Sequence, residues 1–173
     1  PFLPEGRLFG FVDKDGNQSW VTRDGDRLVM ARDGMTVPYG SGFDVPLPEV
    51  RHPDAPIAVL IGPRTVSAGE YTLLAMMSRE NTRSFGQPTG GASTVKVGLE
   101  LLDGSILAIA GAAALDVDGN VYTGKIQPDE WNASQSRGGD AQGMDGTIVA
   151  AEKWLLAQPA CQQSATPVAS PAP

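Results

Sequence analysis

Two short stretches of this chain set reactive or ligand-facing groups at spacings that chemistry can use. One is Ser67-Ala68-Gly69-Glu70, and the other is the later loop Gly86-Gln87-Pro88-Thr89-Gly90-Gly91. Ser67 follows Ile57-Ala58-Val59-Leu60-Ile61, an unbroken apolar run of strand length ended by Gly62 and Pro63, so it stands where a strand gives way to a helix. A serine there has two uses. Ser-x-x-Glu is the capping-box pattern, in which the serine oxygen accepts from the Glu70 amide and the Glu70 side chain reaches back to the serine amide. The same position lies beside the free N–H groups of a helix start, which can bind the oxyanion formed when a serine attacks a carbonyl. Spacing alone favours the cap, the commoner use of the pattern. The Gly-x-Ser-x-Gly elbow is absent, so α/β-hydrolases gain no support. The glycine-rich loop lacks the Gly-Lys-Ser/Thr ending of a phosphate loop; its glycines suit close backbone approach to a ligand or a helix.

Composition narrows the alternatives. The 173 residues are 41% hydrophobic and 19% charged, as expected of one globular domain. A net charge of -7 disfavours a nucleic-acid or anionic-membrane partner. With one cysteine, Cys161, and one histidine, His52, neither an internal disulfide nor a Cys/His metal site is expected, and no cofactor is implied. Asp13-Lys14-Asp15-Gly16-Asn17 superficially suggests a calcium loop, but Gln18 stands where that loop needs glycine. A turn is the better reading. His52 sits in a Pro-rich stretch and reads as a solvated loop residue. No apolar segment approaches the ~20 residues that span a membrane. The chain opens Pro1-Phe2-Leu3-Pro4 without a methionine, which suits a mature, truncated or excised piece.

The apolar run 57–61 has no alternation, which predicts an interior strand of a parallel sheet covered on both faces, with Ser67 at the sheet's carboxyl edge. The helix after it runs to about Glu80 and is apolar nearly all round. Residues 1–50 form a β-hairpin meander, punctuated by Asp15-Gly16, Asp24-Gly25 and Asp33-Gly34, and then a Pro/Gly-rich linker from Met35. Residues 51–158 form the α/β core. Within it, Thr82 to Phe85 reads as a strand, Val95 to Leu102 and Ser105 to Ala110 as a hairpin about Asp103-Gly104, and Ala113 to Asp116 with Asn120 to Tyr122 as another. A last helix, Thr147 to Ala157, can bury Ile148, Ala151 and Leu155. Residues 159–173, rich in Ala, Pro and Ser, read as a disordered tail.

From Ile57 to Asp129 this order of features resembles the tail-specific, or C-terminal-processing, serine peptidases and their tricorn-core relatives. Those families show an apolar strand, a Ser-Ala-x-Glu helix start, a Gly-x-x-Thr-x-Gly loop, two Asp-Gly turns and a closing x-Pro-Asp. Here these are Val66 to Glu70, Gly86 to Gly91, Asp103-Gly104, Asp118-Gly119 and Gln127-Pro128-Asp129. The resemblance implies an α/β fold with a ClpP/crotonase-like sheet and flanking helices, and a serine-type endopeptidase acting on polypeptides outside the cytoplasm. It implies Ser67 as nucleophile, the Ala68 N–H as one oxyanion donor, and Gly90 and Gly91 in substrate binding. The strand near Val95 to Leu101 would suit pairing with substrate backbone.

The general base does not carry over. In the processing branch it is a lysine after the loop's second glycine, where this chain has Ala92. The tricorn-like branch uses a histidine far upstream, and His52 lies too close to the strand. Lys96 and Lys125 match no motif position. The family's Asn-x-Gly-Gly strand, source of the second oxyanion donor, has no counterpart in residues 1–56. The expectation is the carboxyl-terminal part of a larger peptidase, with base and second donor on an upstream part of the same protein. The alternative is a catalytically inactive peptide-binding or structural relative.

Overall fold

Each Asp-Gly pair in the first part of the chain marks a reversal, because its glycine reaches the positive φ that a tight turn needs. In the computed structural model, which describes residues 2–32, 34–39, 50–132 and 145–162, Gly16, Gly25 and Gly34 have φ of 84°, 58° and 76°. They join four antiparallel strands: β1 (Gly6–Asp13), β2 (Gln18–Asp24), β3 (Arg27–Arg32) and β4 (Met35–Pro38). The chain continues through β5 (Ile57–Ile61), α1 (Ala68–Met77), β6 (Thr82–Gly86), β7 (Thr94–Glu100), β8 (Ile106–Leu115), β9 (Val121–Tyr122), β10 (Glu130–Trp131), α2 (Gly146–Leu156) and α3 (Pro159–Gln162).

Two sheets result. A seven-stranded sheet runs β4-β3-β2-β1-β8-β7, with β9 beside β8. A three-stranded parallel sheet runs β10-β6-β5. The mixed α/β architecture expected from the sequence is present. The meander joins the core directly, since β1 pairs antiparallel with β8 from Gly10↔Leu115 to Asp13↔Ala112.

Helix α1 packs on β1 on one side and on β6 on the other. Its Tyr71 stacks on Phe9 at 5.8 Å and meets Phe11 edge-on at 5.2 Å. Ile61, Leu73, Leu74, Ala114 and Ile126 complete the core. Helix α2 packs on β5 and β6, with Trp154 5.7 Å from Phe85.

Several sequence expectations are corrected. β5 is an edge strand, not an interior one: β6 is its only partner among the described residues, and Leu60 is 49% exposed. An unbroken apolar run predicts covered faces, and says nothing of a strand's lateral neighbour. Met35–Pro38, expected in a linker, returns along β3 as β4, because the turn at Gly34 directs it there. Ile106–Leu115 is one strand through Gly111, where a side chain would collide with Val97 Cγ2 at 2.3 Å. Helix α1 stops at Met77. Helix α2 buries Thr147 and Ala151 and leaves Ile148 50% exposed, so its buried face is rotated from the one expected. The expected tail begins as the helical turn α3, and residues 163–173 lie outside the described residues.

One loop is fastened by a single carboxylate. Asp116, between β8 and β9, accepts from the amides of Asp118 (3.0 Å) and Asn120 (2.9 Å), the Asn120 side chain (2.8 Å) and the Tyr122 hydroxyl (2.8 Å). Burial pushes its carboxyl up, but these bonds outweigh that and hold it below the usual carboxylate range. Tyr122 is pushed up to about 12, by burial first and then by its bond to Asp116. A depressed carboxyl contributes stability above its unfolded pKa of about 3.9 and loses it as pH falls through the folded value. Asp116→Ala is therefore expected to lower stability to urea at neutral pH by about 1 kcal/mol, the discount reflecting its partial exposure. The gap from the parent chain should narrow below about pH 4. A gap that stays constant on acidification would refute this account.

Candidate active site

Between β5 and α1 the chain turns sharply. Thr65 N–H donates to the Gly62 carbonyl at 2.8 Å, and Gly62 N–H donates to Thr65 Oγ1 at 3.2 Å. Gly69 N–H closes on the Val66 carbonyl at 3.0 Å, and the Glu70 and Tyr71 amides donate to the Ser67 carbonyl at 2.8 and 3.1 Å. Ser67 is thereby the N-cap of α1, at φ 52°, ψ −117°. N-cap residues ordinarily take extended backbone, where their side chain can reach an amide. Ser67 has the general layout of a capping box, but its side chain makes no capping hydrogen bond. A non-glycine residue so placed carries about 1–3 kcal/mol of strain and keeps it only where its surroundings over-determine the conformation.

Glu70 supplies that constraint. It is fully buried, and its two oxygens receive three donors: Oε2 takes the Ser67 N–H at 2.9 Å, and Oε1 takes the Thr89 hydroxyl at 2.5 Å and the Gly91 N–H at 3.0 Å. The Thr89 hydroxyl in turn accepts the Ile126 N–H at 2.9 Å. One carboxylate thus holds the serine turn, the glycine-rich loop and the segment after β9 together. Its place in the first turn of α1 also sets a negative charge at the positive end of the helix dipole.

Gly90 completes the clasp, donating to the Thr65 carbonyl at 2.8 Å. A Cβ there would lie 2.3 Å from Val66 Cγ1 and 2.7 Å from the Pro63 carbonyl, so only glycine lets the loop close on the turn. The amides of Gly90 and Gly91 are both committed within the protein.

Ser67 and Ala68 are exposed, and the Ala68 N–H has no acceptor among the described residues. A hydroxyl and a free amide at a helix start therefore face the same solvent. No titratable side chain is hydrogen-bonded to the hydroxyl among the described residues. His52 precedes β5 and Ser67 follows it, so they leave opposite ends of a strand about 17 Å long. Lys96 lies on the exposed strand β7. Lys125 comes nearer, its backbone N and Cγ each 3.1 Å from where a Gly91 Cβ would stand, and its side chain is exposed. Ala92 is half-buried. No cluster of metal-ligating side chains occurs among the described residues.

The sequence reading missed the joint role of Glu70 and Thr89. Each residue stands in its own motif, and the capping-box pattern accounts for Glu70 without reference to Thr89. Asp129, the last motif residue, is a fastener: Oδ2 accepts the Ser84 N–H at 2.8 Å and its hydroxyl at 2.7 Å, pinning β6.

Residues 1–131 match the model of peptidase family S41. A nisin-resistance protein of Lactococcus lactis subsp. lactis is 32% identical over 130 residues, which are 75% of this chain and 38% of that protein. Among solved structures, a lipoprotein from Streptococcus agalactiae superposes with a TM-score of 0.57 at 24% identity, over 89% of this chain and 46% of its own. The photosystem II D1 C-terminal processing protease gives a TM-score of 0.51 at 21% identity, over 84% of this chain and 32% of its own. The two structures share the fold. This chain spans less than half the length of each of the three relatives.

Proposed function

This chain belongs to peptidase family S41, and on that premise we propose that it is the nucleophile-bearing part of a serine endopeptidase. The observation that carries this reading is the backbone of Ser67, strained at φ 52° with a free Ala68 N–H beside it. A cap has no use for such strain, whereas a nucleophile lifted clear of its own helix does.

In the proposed reaction the Ser67 oxygen attacks the scissile carbonyl carbon as a base takes its proton. The resulting oxyanion is held by the Ala68 N–H. The carbon–nitrogen bond then breaks, the amine leaves with that proton, and water releases the acyl group from Ser67 by the same steps. Gly90 and Gly91 line the approach to Ser67 and bear on the substrate through the side of the loop not used by their amides. Base and second oxyanion donor come from an upstream part of the protein.

The name of the nisin-resistance relative makes nisin the peptide to try first. That relative and the lipoprotein neighbour support action outside the cytoplasm. No helix among the described residues is long and apolar enough to cross a membrane. The lack of a titratable partner for the Ser67 hydroxyl favours a second reading, an inactive peptide-binding relative.

Fluorophosphonate labelling of the longer protein separates the two. The expected result is a single adduct on Ser67, located by peptide mass spectrometry, with loss of peptidase activity in step. Undiminished cleavage with Ser67 unlabelled would overturn the assignment. Residues 1–173 alone are expected to cleave peptides no faster than their Ser67→Ala variant, because a serine without a base is a poor nucleophile. A rate that vanishes with that substitution would place the base within these residues.

A further inference from the structure

The outer edge of β7 is a second unpaired strand edge, and its sequence complements itself. Strand β7 ends the seven-stranded sheet, with β8 on one side and no strand on the other among the described residues. β7 and β8 form an arm, exposed throughout from Lys96 to Ala110. The pairs Val97↔Ile109 and Leu99↔Leu107 make one face aliphatic. Edge strands are normally blunted by shortness, proline or repelling charge. The opposite edge follows this rule: β4 has four residues and ends at Pro38. β7 has seven residues and no proline, and its two charges, Lys96 and Glu100, have opposite signs and stand symmetrically about Gly98.

We propose that this edge pairs with the β7 edge of a second copy of the chain, antiparallel about a two-fold axis at Gly98. In that register Lys96 meets Glu100 of the second copy, Val97 meets Leu99, Gly98 meets Gly98, and the relations repeat across the axis. Opposite charges and aliphatic side chains then fall against each other on both sides of the axis.

The backbone phase agrees. Leu101 N–H donates to the Ser105 carbonyl at 2.8 Å, so Leu101 turns its polar groups toward β8. By the strand's two-residue period Leu99 and Val97 do the same, leaving those of Lys96, Gly98 and Glu100 on the open edge. These three residues pair in the proposed register, each pair exchanging both hydrogen bonds. Glycine at the axis removes the side chains that would otherwise meet there, and a glycine inside a strand often marks close approach by another backbone. A substrate strand is the other occupant this edge could take, but nothing in such a peptide calls for the symmetric charges.

Sedimentation equilibrium of residues 1–173 from about 1 to 500 µM, a range suited to weak association, tests this directly. A reversible monomer–dimer equilibrium is expected. Lys96→Glu sets two acids against Glu100 residues and should raise Kd about tenfold or more; Glu100→Lys does the same with bases. The double variant Lys96→Glu/Glu100→Lys restores opposite pairing and should return Kd to within about threefold of the original. Both side chains are exposed, so the variants should fold, which far-UV circular dichroism checks. A chain that stays monomeric, or a dimer equally tight in all four proteins, overturns the proposal. So would a longer, active form of the protein that stays monomeric and whose single variants change the KM for peptides, which would assign the edge to substrate.

Discussion

Replacing Ser67 by glycine in the full-length peptidase is expected to lower peptide hydrolysis by about four orders of magnitude, since a nucleophile carries most of what its machinery achieves. The fold should not suffer. Ser67 lies at φ 52°, where glycine is at ease and serine is not, so the exchange relieves strain and loses no capping bond. The relief, about 1–3 kcal/mol, is offset by the greater freedom of glycine in the unfolded chain, about 0.5–1 kcal/mol. The melting temperature should therefore stay level or rise by up to about 4 °C. Ser67→Ala should be equally inactive without the rise, because alanine keeps the strain. This contrast decides between nucleophile and cap. If the Ser67 hydroxyl served only to cap α1, both substitutions would lower stability, alanine more than glycine, and activity would follow the amount of folded protein. A folded Ser67→Gly enzyme that cleaves peptides near the original rate would end the assignment.

Local chemistry was legible in the sequence wherever one segment dictates its own geometry. The Asp-Gly pairs at Gly16 and Gly25 fixed the meander, and the break from Ile61 through Gly62 and Pro63 placed Ser67 at a helix start. Lateral relations were harder to read. The apolarity of 57–61 reflects α2 packed on β5 and Ile61 in the core, while the neighbour along the edge leaves no mark on side-chain pattern. β10 escaped notice because two residues carry no periodicity; it forms because Asn132 N–H reaches the Gly86 carbonyl at 2.7 Å, extending the register of β6. Likewise Ile148 and Thr147 are adjacent, and only the sheet beneath α2 determines which of them turns inward. At the site the motif residues were visible and their links were not. Glu70 and Thr89 lie in separate motifs, and only the fold shows that one carboxylate serves both.

Those links lead to the second large effect. The Glu70 carboxylate accepts three donors on two oxygens, whereas a carboxamide offers one acceptor oxygen. In Glu70→Gln, turning that oxygen toward Thr89 and Gly91 sets the amide NH2 against the Ser67 N–H; turning it the other way sets the NH2 against the Gly91 N–H. One buried backbone donor is orphaned in either case, at a cost of about 1–3 kcal/mol. The strained serine turn also loses definition, and a displacement of about 1 Å at a nucleophile costs about 100-fold in rate. We therefore expect Glu70→Gln, measured as the folded enzyme, to lose about 100-fold in kcat and in the rate of fluorophosphonate labelling, with KM changed little. Thr89→Val is the control. It removes the hydroxyl that bridges Glu70 and the Ile126 amide, so stability should fall by a similar amount, but the bond from Glu70 to the Ser67 amide is left in place. If Glu70 acts by positioning the serine, labelling by Thr89→Val should stay within about tenfold of the parent while Glu70→Gln falls well below it. Equal losses in both, in proportion to lost stability, would reduce Glu70 to a structural clasp.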